Sequence, residues 1–191
     1  MKIIFLDRDG VINRYPGHKR YVTRVKDLKI LPGALEALKK LTEAGFRIFI
    51  ISNQAGVGKG LYSQAKLKAI TTKLLKVVQK YGAKIHGVFY CTHRSDLGCA
   101  CRKPKLGLIN KAMQGPRLRR EASRRSPISK PIFFVGDSII DVETAQNAGF
   151  KSILVLSGRE KKRNTRLWKL RPDYIVKDLR AAAEIVLRDN R

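Results

Sequence analysis

The sequence predicts an α/β protein built on a mostly parallel β-sheet, and three observations support this fold class. Short apolar runs alternate along the chain with longer segments of helical periodicity. Most of these runs are continuously apolar, as in strands that are buried on both faces. The length of 191 residues suits one domain with a sizeable core. We therefore expect a single domain that spans residues 1–191.

The first half of the chain is predicted to contain three strands and two helices. The strands are the apolar runs at 2–6, 47–51 and 87–90. The first helix, at 32–44, opens with Pro and Gly and ends before Gly45, a residue type common just after helices. The second helix, at 63–81, begins with Ser63 as its N-cap and carries apolar residues on one face. These apolar residues are Leu67, Ile70, Leu74, Leu75 and Val78.

The second half continues the alternation. Apolar runs predict strands at 131–135, 152–156 and 174–176. Helical patterns lie at 105–113, 138–148 and 179–187, the second of them ending before Gly149. The segment 115–130 carries six Lys or Arg and one Glu, and we expect an exposed loop or a poorly formed helix there.

The charge of the chain is abnormal for a globular protein. Lys and Arg number 41 against 15 Asp and Glu, which gives a net charge of +26. This balance excludes an acidic solvating protein and favours anionic partners, namely nucleic acid, anionic lipid or phosphorylated metabolites. Most of the cations lie in four stretches, 14–29, 59–84, 115–131 and 157–171. Of these cations, we expect only Lys59, together with Lys19 or Arg20, to lie near a functional site.

The ends of the chain and its apolar runs bear on compartment. No apolar run approaches the roughly 20 residues that a membrane-spanning helix needs. The N-terminal apolar stretch is too short for a signal peptide and runs into Asp7. We therefore expect a cytoplasmic protein without a membrane partner.

Charged residues follow the predicted strands, where parallel sheets bind ligands. Asp7 and Asp9 come directly after the first strand, and Asp137 with Asp141 follows the fourth. Carboxylate oxygens suit Mg²⁺, which proteins commonly hold with one or two carboxylates and a substrate phosphate. Arg102 and Lys103 supply cations for that phosphate. The joint pattern predicts a site for a divalent cation and a phosphorylated ligand.

The second predicted strand is followed by Ser52, Asn53 and a glycine-rich loop at 54–60. A hydroxyl, an amide and glycines with a lysine could form an anion cradle of backbone N–H groups. The spacing of a Walker A motif is absent, so a nucleotide-binding P-loop is excluded.

All three cysteines of the chain lie within eleven residues of one another, together with a histidine. Three thiolates and one imidazole form a closed tetrahedral set, which is typical of structural zinc. The alternative is free buried cysteines beside an unrelated histidine. The predicted ligands are Cys91, His93, Cys99 and Cys101. A metal ion bound there would hold in place the loop that carries Arg102 and Lys103. With four protein ligands, the metal would have no open coordination position for catalysis.

These motifs together resemble the haloacid dehalogenase (HAD) superfamily of phosphatases. The matching residues are FLDRDG at 5–10, Ser52, Lys103 and GDSIID at 136–141. The resemblance implies a Rossmann-like HAD fold, with helices on both faces of the sheet. It also implies a minimal cap, because only the segments 11–31 and 91–104 are available to cover the site.

Within the superfamily, longer motifs resemble the D-glycero-D-manno-heptose 1,7-bisphosphate phosphatases. These motifs are FLDRDGVIN, SNQAGVGKG, CTH…CACRKP and VGDSIID. The resemblance implies an enzyme that removes the 7-phosphate of a sugar bisphosphate, and we expect a monomer. Histidinol-phosphate phosphatase is the alternative because those enzymes share most of the motifs. A nucleic-acid end phosphatase or binding protein is less favoured, since only the basic charge supports it.

The resemblance also assigns roles to residues. Asp7 would be the nucleophile that forms an aspartyl-phosphate, and Asp9 the group that protonates the leaving alcohol and deprotonates water. Mg²⁺ would be held by Asp7, by the backbone carbonyl of Asp9 and by Asp137. The remaining residues would stabilise the phosphoryl group (Ser52 and Lys103), bind substrate (Asn53 and Arg102) or orient the metal site (Asp141).

One segment departs from the family. Relatives have a short HGY-type segment after the first motif, whereas residues 14–22 of this chain are longer and more basic. The predicted substrate therefore depends on the structure of this loop more than the other expectations do.

Overall fold

The computed structural model describes residues 1–114 and 130–190. Within these ranges six strands form one parallel sheet in the order β3-β2-β1-β4-β5-β6. The strands are β1 (Ile3–Leu6), β2 (Arg47–Asn53), β3 (Ile85–Cys91), β4 (Phe133–Gly136), β5 (Lys151–Val155) and β6 (Tyr174–Val176). The fold class and all six predicted strands are confirmed. The predicted loop at 115–130 lies, except for its last residue, outside the described residues.

The helices occupy the connections between the strands. They are α1 (Ala34–Glu43), α2 (Gln64–Lys80), α3 (Gly107–Met113), α4 (Ile139–Asn147), α5 (Lys162–Thr165) and α6 (Leu179–Arg188), with 3₁₀ turns at Val25–Asp27 and Ser95–Leu97. The five predicted helices are confirmed. The short α5 was not predicted, because its four residues carry no apolar periodicity.

The sheet separates two hydrophobic clusters, as the continuously apolar strands predict. Side chains alternate along β1, so that Ile4 and Leu6 face one cluster whereas Ile3 and Phe5 face the other. Helices α1, α2 and α6 cover the first face, and α3 and α4 cover the second. Each fully buried aliphatic or aromatic side chain contributes about 1.5–3 kcal/mol, so these two layers fix the sheet between its helices.

Helix α2 begins where the sequence predicts. The Ser63 side chain accepts a hydrogen bond of 3.2 Å from the backbone N–H of Lys66. Four of the five predicted core residues of α2 are buried, and Leu75 is only half-buried because it lies at the edge of the apolar face.

The topology creates a crevice at the carboxyl ends of the strands. The chain proceeds from β1 to β2 and β3 on one side of the sheet, and then crosses to β4 on the other side of β1. Ligands of open α/β sheets bind at such a switch point. None of the helices in the described residues is long and apolar enough to cross a bilayer.

Candidate active site

A cavity of about 160 Å³ opens at the carboxyl ends of β1, β2 and β4. Its walls come from the turns after these strands, from the loop at 15–21 and from the residues that follow the cysteine cluster. The structure brings together all eight residues that were predicted for metal and phosphate chemistry. They are Asp7, Asp9, Ser52, Asn53, Arg102, Lys103, Asp137 and Asp141.

Asp7 lies next to the one buried lysine among these lining residues. The Lys103 ammonium is 3.1 Å from Asp7 Oδ2 and 2.5 Å from Asp141 Oδ1. Burial raises the pKa of Asp7 to about 6, although the charge of Lys103 lowers it. Burial would lower the pKa of Lys103, but the carboxylates of Asp141 and Asp7 outweigh that effect and raise it. The ammonium is therefore a fixed positive charge beside Asp7.

Asp137 is enclosed by backbone. Its Oδ2 accepts a hydrogen bond of 2.7 Å from the N–H of Arg159. A Cβ on Gly10 or on Gly158 would overlap the Asp137 carboxylate, and Gly10 also has a φ of 83°. Glycine is therefore required at position 10 on both grounds. Burial, with the nearby charges of Asp141 and Asp7, raises the pKa of Asp137 well above its usual value.

Asp141 stabilises the start of α4. Its Oδ2 accepts hydrogen bonds from the hydroxyl (2.6 Å) and from the backbone N–H (3.2 Å) of Ser138, and the second of these belongs to the capping box of the helix. Its other oxygen binds Lys103.

Three carboxylates crowd one corner of the cavity. One oxygen each from Asp7, Asp137 and Asp141 lies within 4.8 Å of the others. Burial is the main cause of the raised pKa values of Asp7 and Asp137, and repulsion between like charges at this distance adds to it. A hard divalent cation would relieve that repulsion, and carboxylate oxygens are the donors it prefers. The residues present therefore fit Mg²⁺.

The Asp9 carboxylate faces a buried polar network. It accepts hydrogen bonds from Arg8 (2.8 and 3.0 Å), from Asn13 (2.8 Å) and from Gln54 (2.9 Å). Tyr62 in turn donates to Gln54 Oε1 at 2.6 Å. Burial would raise the pKa of Asp9, but the Arg8 guanidinium and these hydrogen bonds outweigh it and lower the pKa. Asp9 is therefore ionised and held in one position.

Asn53 and Arg102 occupy different kinds of position on the wall. The Asn53 amide exchanges two hydrogen bonds with the backbone of Lys103, at 3.1 and 3.2 Å. It therefore fixes the main chain that carries the ammonium. Arg102 has a buried Nη1 atom without a hydrogen-bond partner in the described residues. A buried donor of this kind is suited to an anionic ligand.

The predicted metal ligands at 91–101 form a compact cluster. The sulfur of Cys99 lies 3.6 Å from those of Cys91 and Cys101, and His93 Nδ1 is 3.1 Å from Cys101 Sγ. A tetrahedral zinc with Zn–S bonds of about 2.3 Å spaces its sulfurs about 3.8 Å apart. Burial would raise the pKa of Cys99, but hydrogen bonds from the neighbouring thiols lower it to about 6. The cluster could bind a metal ion.

The glycine-rich loop after Asn53 is not the anion cradle that its composition suggests. The N–H groups of Gln54 and Gly58 donate to the carbonyls of Cys91 and Thr92, and those of Val57, Lys59 and Gly60 donate within the loop. A Cβ on Gly58 would lie 2.5 Å from the Thr92 carbonyl, so glycine allows the loop to pack against the cysteine segment. The loop therefore supports the cysteine segment. Lys59, expected near the site, is not among the residues that line the cavity.

Sequence reasoning missed several residues of the site. Arg8 is fully buried, although its place between two acids suggests an exposed turn. Arg159 also lines the cavity, and its place four residues after the end of β5 is the sequence signal that points to it. Tyr15 and Tyr21 also line the cavity, as do Lys19 and Arg20, which were expected as alternatives.

Comparisons with known sequences agree with this site. A family model described as HAD-hydrolase-like matches residues 100–182. The D-glycero-β-D-manno-heptose-1,7-bisphosphate 7-phosphatase of Bordetella bronchiseptica is 33% identical over 190 residues, which cover 99% of each chain. The enzyme of the same description from Pseudomonas putida is 33% identical over 159 residues, covering 83% of this chain and 85% of the relative.

Solved structures give the same relationship. The crystal structure of D,D-heptose 1,7-bisphosphate phosphatase from B. bronchiseptica, complexed with magnesium and phosphate, has a TM-score of 0.82. It is 34% identical, and the match covers 98% of this chain and 99% of that one. The Burkholderia thailandensis enzyme has a TM-score of 0.66 at 29% identity, with 98% and 99% of the two chains covered.

Proposed function

The chain belongs to the D-glycero-D-manno-heptose-1,7-bisphosphate 7-phosphatase family of HAD-type hydrolases, and on this premise we propose its substrate and residue roles. It is a phosphatase. We propose that it hydrolyses the 7-phosphate of D-glycero-D-manno-heptose 1,7-bisphosphate through an aspartyl-phosphate. The observation that carries this proposal is the ion pair of 3.1 Å between Asp7 and Lys103 in a cavity of carboxylates.

Asp7 is proposed as the nucleophile. One carboxylate oxygen bonds to phosphorus while the bond from phosphorus to the sugar oxygen breaks. Lys103 and the Ser52 hydroxyl, both buried beside Asp7, stabilise the charge on the transferring group. Water then attacks the aspartyl-phosphate, which releases inorganic phosphate and restores the Asp7 carboxylate.

Asp9 is proposed to take up a proton when the substrate binds, to give that proton to the departing sugar oxygen and to take one from the attacking water. Its two oxygens already accept hydrogen bonds from Arg8, Asn13 and Gln54. Asp9 must therefore exchange one of these partners for the reacting oxygen, and Arg8 and Gln54 act as positioning residues for it. Arg102 and Asn53 are proposed to contact the remainder of the substrate.

The side chains of Asp7 and Asp137 and the backbone carbonyl of Asp9 are proposed to hold Mg²⁺. When bound, this cation would offset repulsion between the carboxylates and the incoming phosphate. Asp141 is proposed to orient the site through Lys103 and the start of α4, with which its carboxylate already bonds.

The cysteine cluster is proposed to hold a structural zinc ion. Four protein ligands leave no position for a reacting group, and Cys101 directly precedes Arg102 and Lys103. Three reduced thiols suit a reducing compartment, so we also propose that the protein acts in the cytoplasm. We further propose one domain over residues 1–191 and a monomer; light scattering in solution tests the latter.

A phosphate-release screen with Mg²⁺ tests the proposed substrate. It compares heptose 1,7-bisphosphate, other sugar phosphates, histidinol phosphate and end-phosphorylated oligonucleotides. We expect the highest kcat/KM with the heptose bisphosphate. A higher value with histidinol phosphate or with an oligonucleotide overturns the proposed substrate and supports the corresponding alternative.

A further inference from the structure

The loop at 15–21 forms a wall that two cavities share. The active-site cavity of about 160 Å³ adjoins a groove of about 720 Å³. Small-molecule sites usually measure about 300–1,000 Å³, so the inner cavity alone is small and the groove is of ordinary size. The residues common to both are Tyr15, Pro16, Gly17, Lys19, Arg20 and Tyr21. A ligand bound at Asp7 can therefore extend along this loop.

The shared wall carries unneutralised positive charge. Within residues 1–114 and 130–190, neither Lys19 nor Arg20 has a carboxylate partner. Asp27, the acid that lines the groove, is already paired with Arg24 at 2.8 Å. The loop therefore presents two unpaired cations to the part of a bound ligand that extends beyond the inner cavity.

The backbone holds these two cations side by side in a turn. The N–H of Arg20 donates to the carbonyl of Gly17 at 3.1 Å, and Gly17 has a φ of 110°. Lys19 has a φ of 56°, in the left-handed region that lysine seldom adopts. Glycine or asparagine would suit that conformation better, so a lysine there points to a use for its charge.

We propose that Lys19 and Arg20 bind the second phosphate of the substrate, the one that is not hydrolysed. This inference rests on the proposed function, in which the substrate is a bisphosphate. Ammonium and guanidinium groups form charge-assisted hydrogen bonds with phosphate oxygens. The subsite would select bisphosphates over monophosphates.

Kinetics of Lys19→Ala, Arg20→Ala and the double variant test this subsite. The two substrates are heptose 1,7-bisphosphate and heptose 7-phosphate, which lacks the second phosphate. For the double variant we expect KM of the bisphosphate to rise about tenfold, with kcat within about twofold of the original. KM of the monophosphate should stay within about twofold. The matched control is Lys26→Ala, an exposed cation of the same segment that lines neither cavity.

Two results overturn the subsite. One is an equal rise of KM for both substrates, and the other is an equal effect of Lys26→Ala, which would indicate general electrostatic attraction. The subsite is supported if KM rises only for the bisphosphate and only in the variants of Lys19 and Arg20.

The proposed subsite and the proposed function can be tested separately. If the original protein does not hydrolyse heptose bisphosphate, the proposed function is overturned. The subsite is then measured by calorimetry with Mg²⁺ in an Asp7→Asn background, which does not depend on turnover. Fructose 1,6-bisphosphate should bind about tenfold more tightly than fructose 6-phosphate, and the double variant should lose this preference. A preference that is absent or that survives the double substitution overturns the subsite.

Discussion

Asp7 has two neighbours whose effects on its carboxylate oppose each other. Burial and the charge of Asp141 raise its pKa, whereas Lys103 lowers it. The result is a carboxylate that is destabilised by its surroundings and aimed at the cavity where a phosphate would bind. This environment suits a nucleophile better than a structural ion pair, because bond formation to phosphorus removes the charge that the site disfavours.

We predict that Asp7→Asn abolishes turnover and retains the fold. The amide keeps the shape of the side chain but cannot attack phosphorus, so kcat should fall by about 10³-fold or more. Loss of one charge from the crowded carboxylates should leave the melting temperature unchanged or raise it. Phosphate release and thermal melting measure the two effects. Substantial residual turnover would contradict nucleophilic catalysis by Asp7.

A second prediction at the scale of single residues concerns the contribution of Arg8 to stability. Its side chain is fully buried and pairs with Asp9 at 2.8 Å. Arg8→Met should lower the free energy of unfolding by about 3–5 kcal/mol, because Asp9 keeps a charge in a site without a counter-ion. Urea denaturation measures the change.

The double variant Arg8→Met/Asp9→Asn separates this cause from lost packing. Removal of both charges should restore part of the stability, since no unpaired carboxylate is left. If the double variant is as unstable as Arg8→Met, the cost comes from the packing of Arg8, which also lies 5.6 Å from the centre of the Tyr90 ring.

At the scale of elements, the cysteine segment connects β3 to Arg102 and Lys103 on the wall of the cavity. It begins at Cys91, the last residue of β3, and ends one residue before Arg102. A closed metal cluster at this point would add a constraint to a connection that also contains the short 3₁₀ turn at Ser95–Leu97 and packs against the loop after Asn53. A bound metal would therefore act together with Asn53, which bonds to the Lys103 backbone, in holding this residue in place.

We predict that Cys99→Ser removes the zinc, lowers the melting temperature and raises KM. The serine hydroxyl is a poor zinc ligand, so the segment that carries Arg102 and Lys103 should become less ordered. Metal analysis, melting and kinetics measure these effects. Treating the original protein with a zinc chelator in excess Mg²⁺ should reproduce them. A zinc-free protein with full activity and unchanged melting would contradict the structural role.

Helix α2 allows a test at its first turn. Ser63 caps the helix, and no acid lies in that turn. Ser63→Ala should lower the free energy of unfolding by about 1 kcal/mol, because the N–H of Lys66 loses its partner. Ser63→Asp is the control: it keeps the acceptor and adds a favourable charge at the helix N-terminus. Equal stability of the two variants by urea denaturation would contradict the capping role.

Some elements of the structure can be predicted from the sequence and others cannot, for physical reasons. Strands such as Ile3–Leu6 are continuously apolar because both faces are covered, and that property is local in the sequence. The function of the loop after Asn53 depends on which carbonyls lie opposite its N–H groups, and those come from Cys91 and Thr92 on another element. The burial of Arg8 likewise depends on Gln54, which is 46 residues away.

At the scale of the whole molecule, most of the positive charge and the carboxylates of the cavity occupy different places. The carboxylates of Asp7, Asp137 and Asp141 are enclosed at the switch point of the sheet. Many cations lie on the surface instead. On α2, which carries no acid, the exposed lysines are Lys66, Lys68, Lys73, Lys76 and Lys80. An acidic centre that could hold a metal is thus surrounded by a basic surface, and a surface of this charge is expected to attract phosphorylated ligands.

We predict that kcat/KM for a sugar bisphosphate falls severalfold as ionic strength rises from about 0.02 to 0.5 M at constant Mg²⁺, because salt screens the basic surface. Lys73→Glu/Lys76→Glu should lower kcat/KM at low salt and weaken its dependence on salt, although neither lysine lines the active-site cavity. Lys73→Arg/Lys76→Arg keeps the charge and is the control. Equal values for the two double variants, or a kcat/KM that does not respond to salt, would contradict attraction by the surface charge.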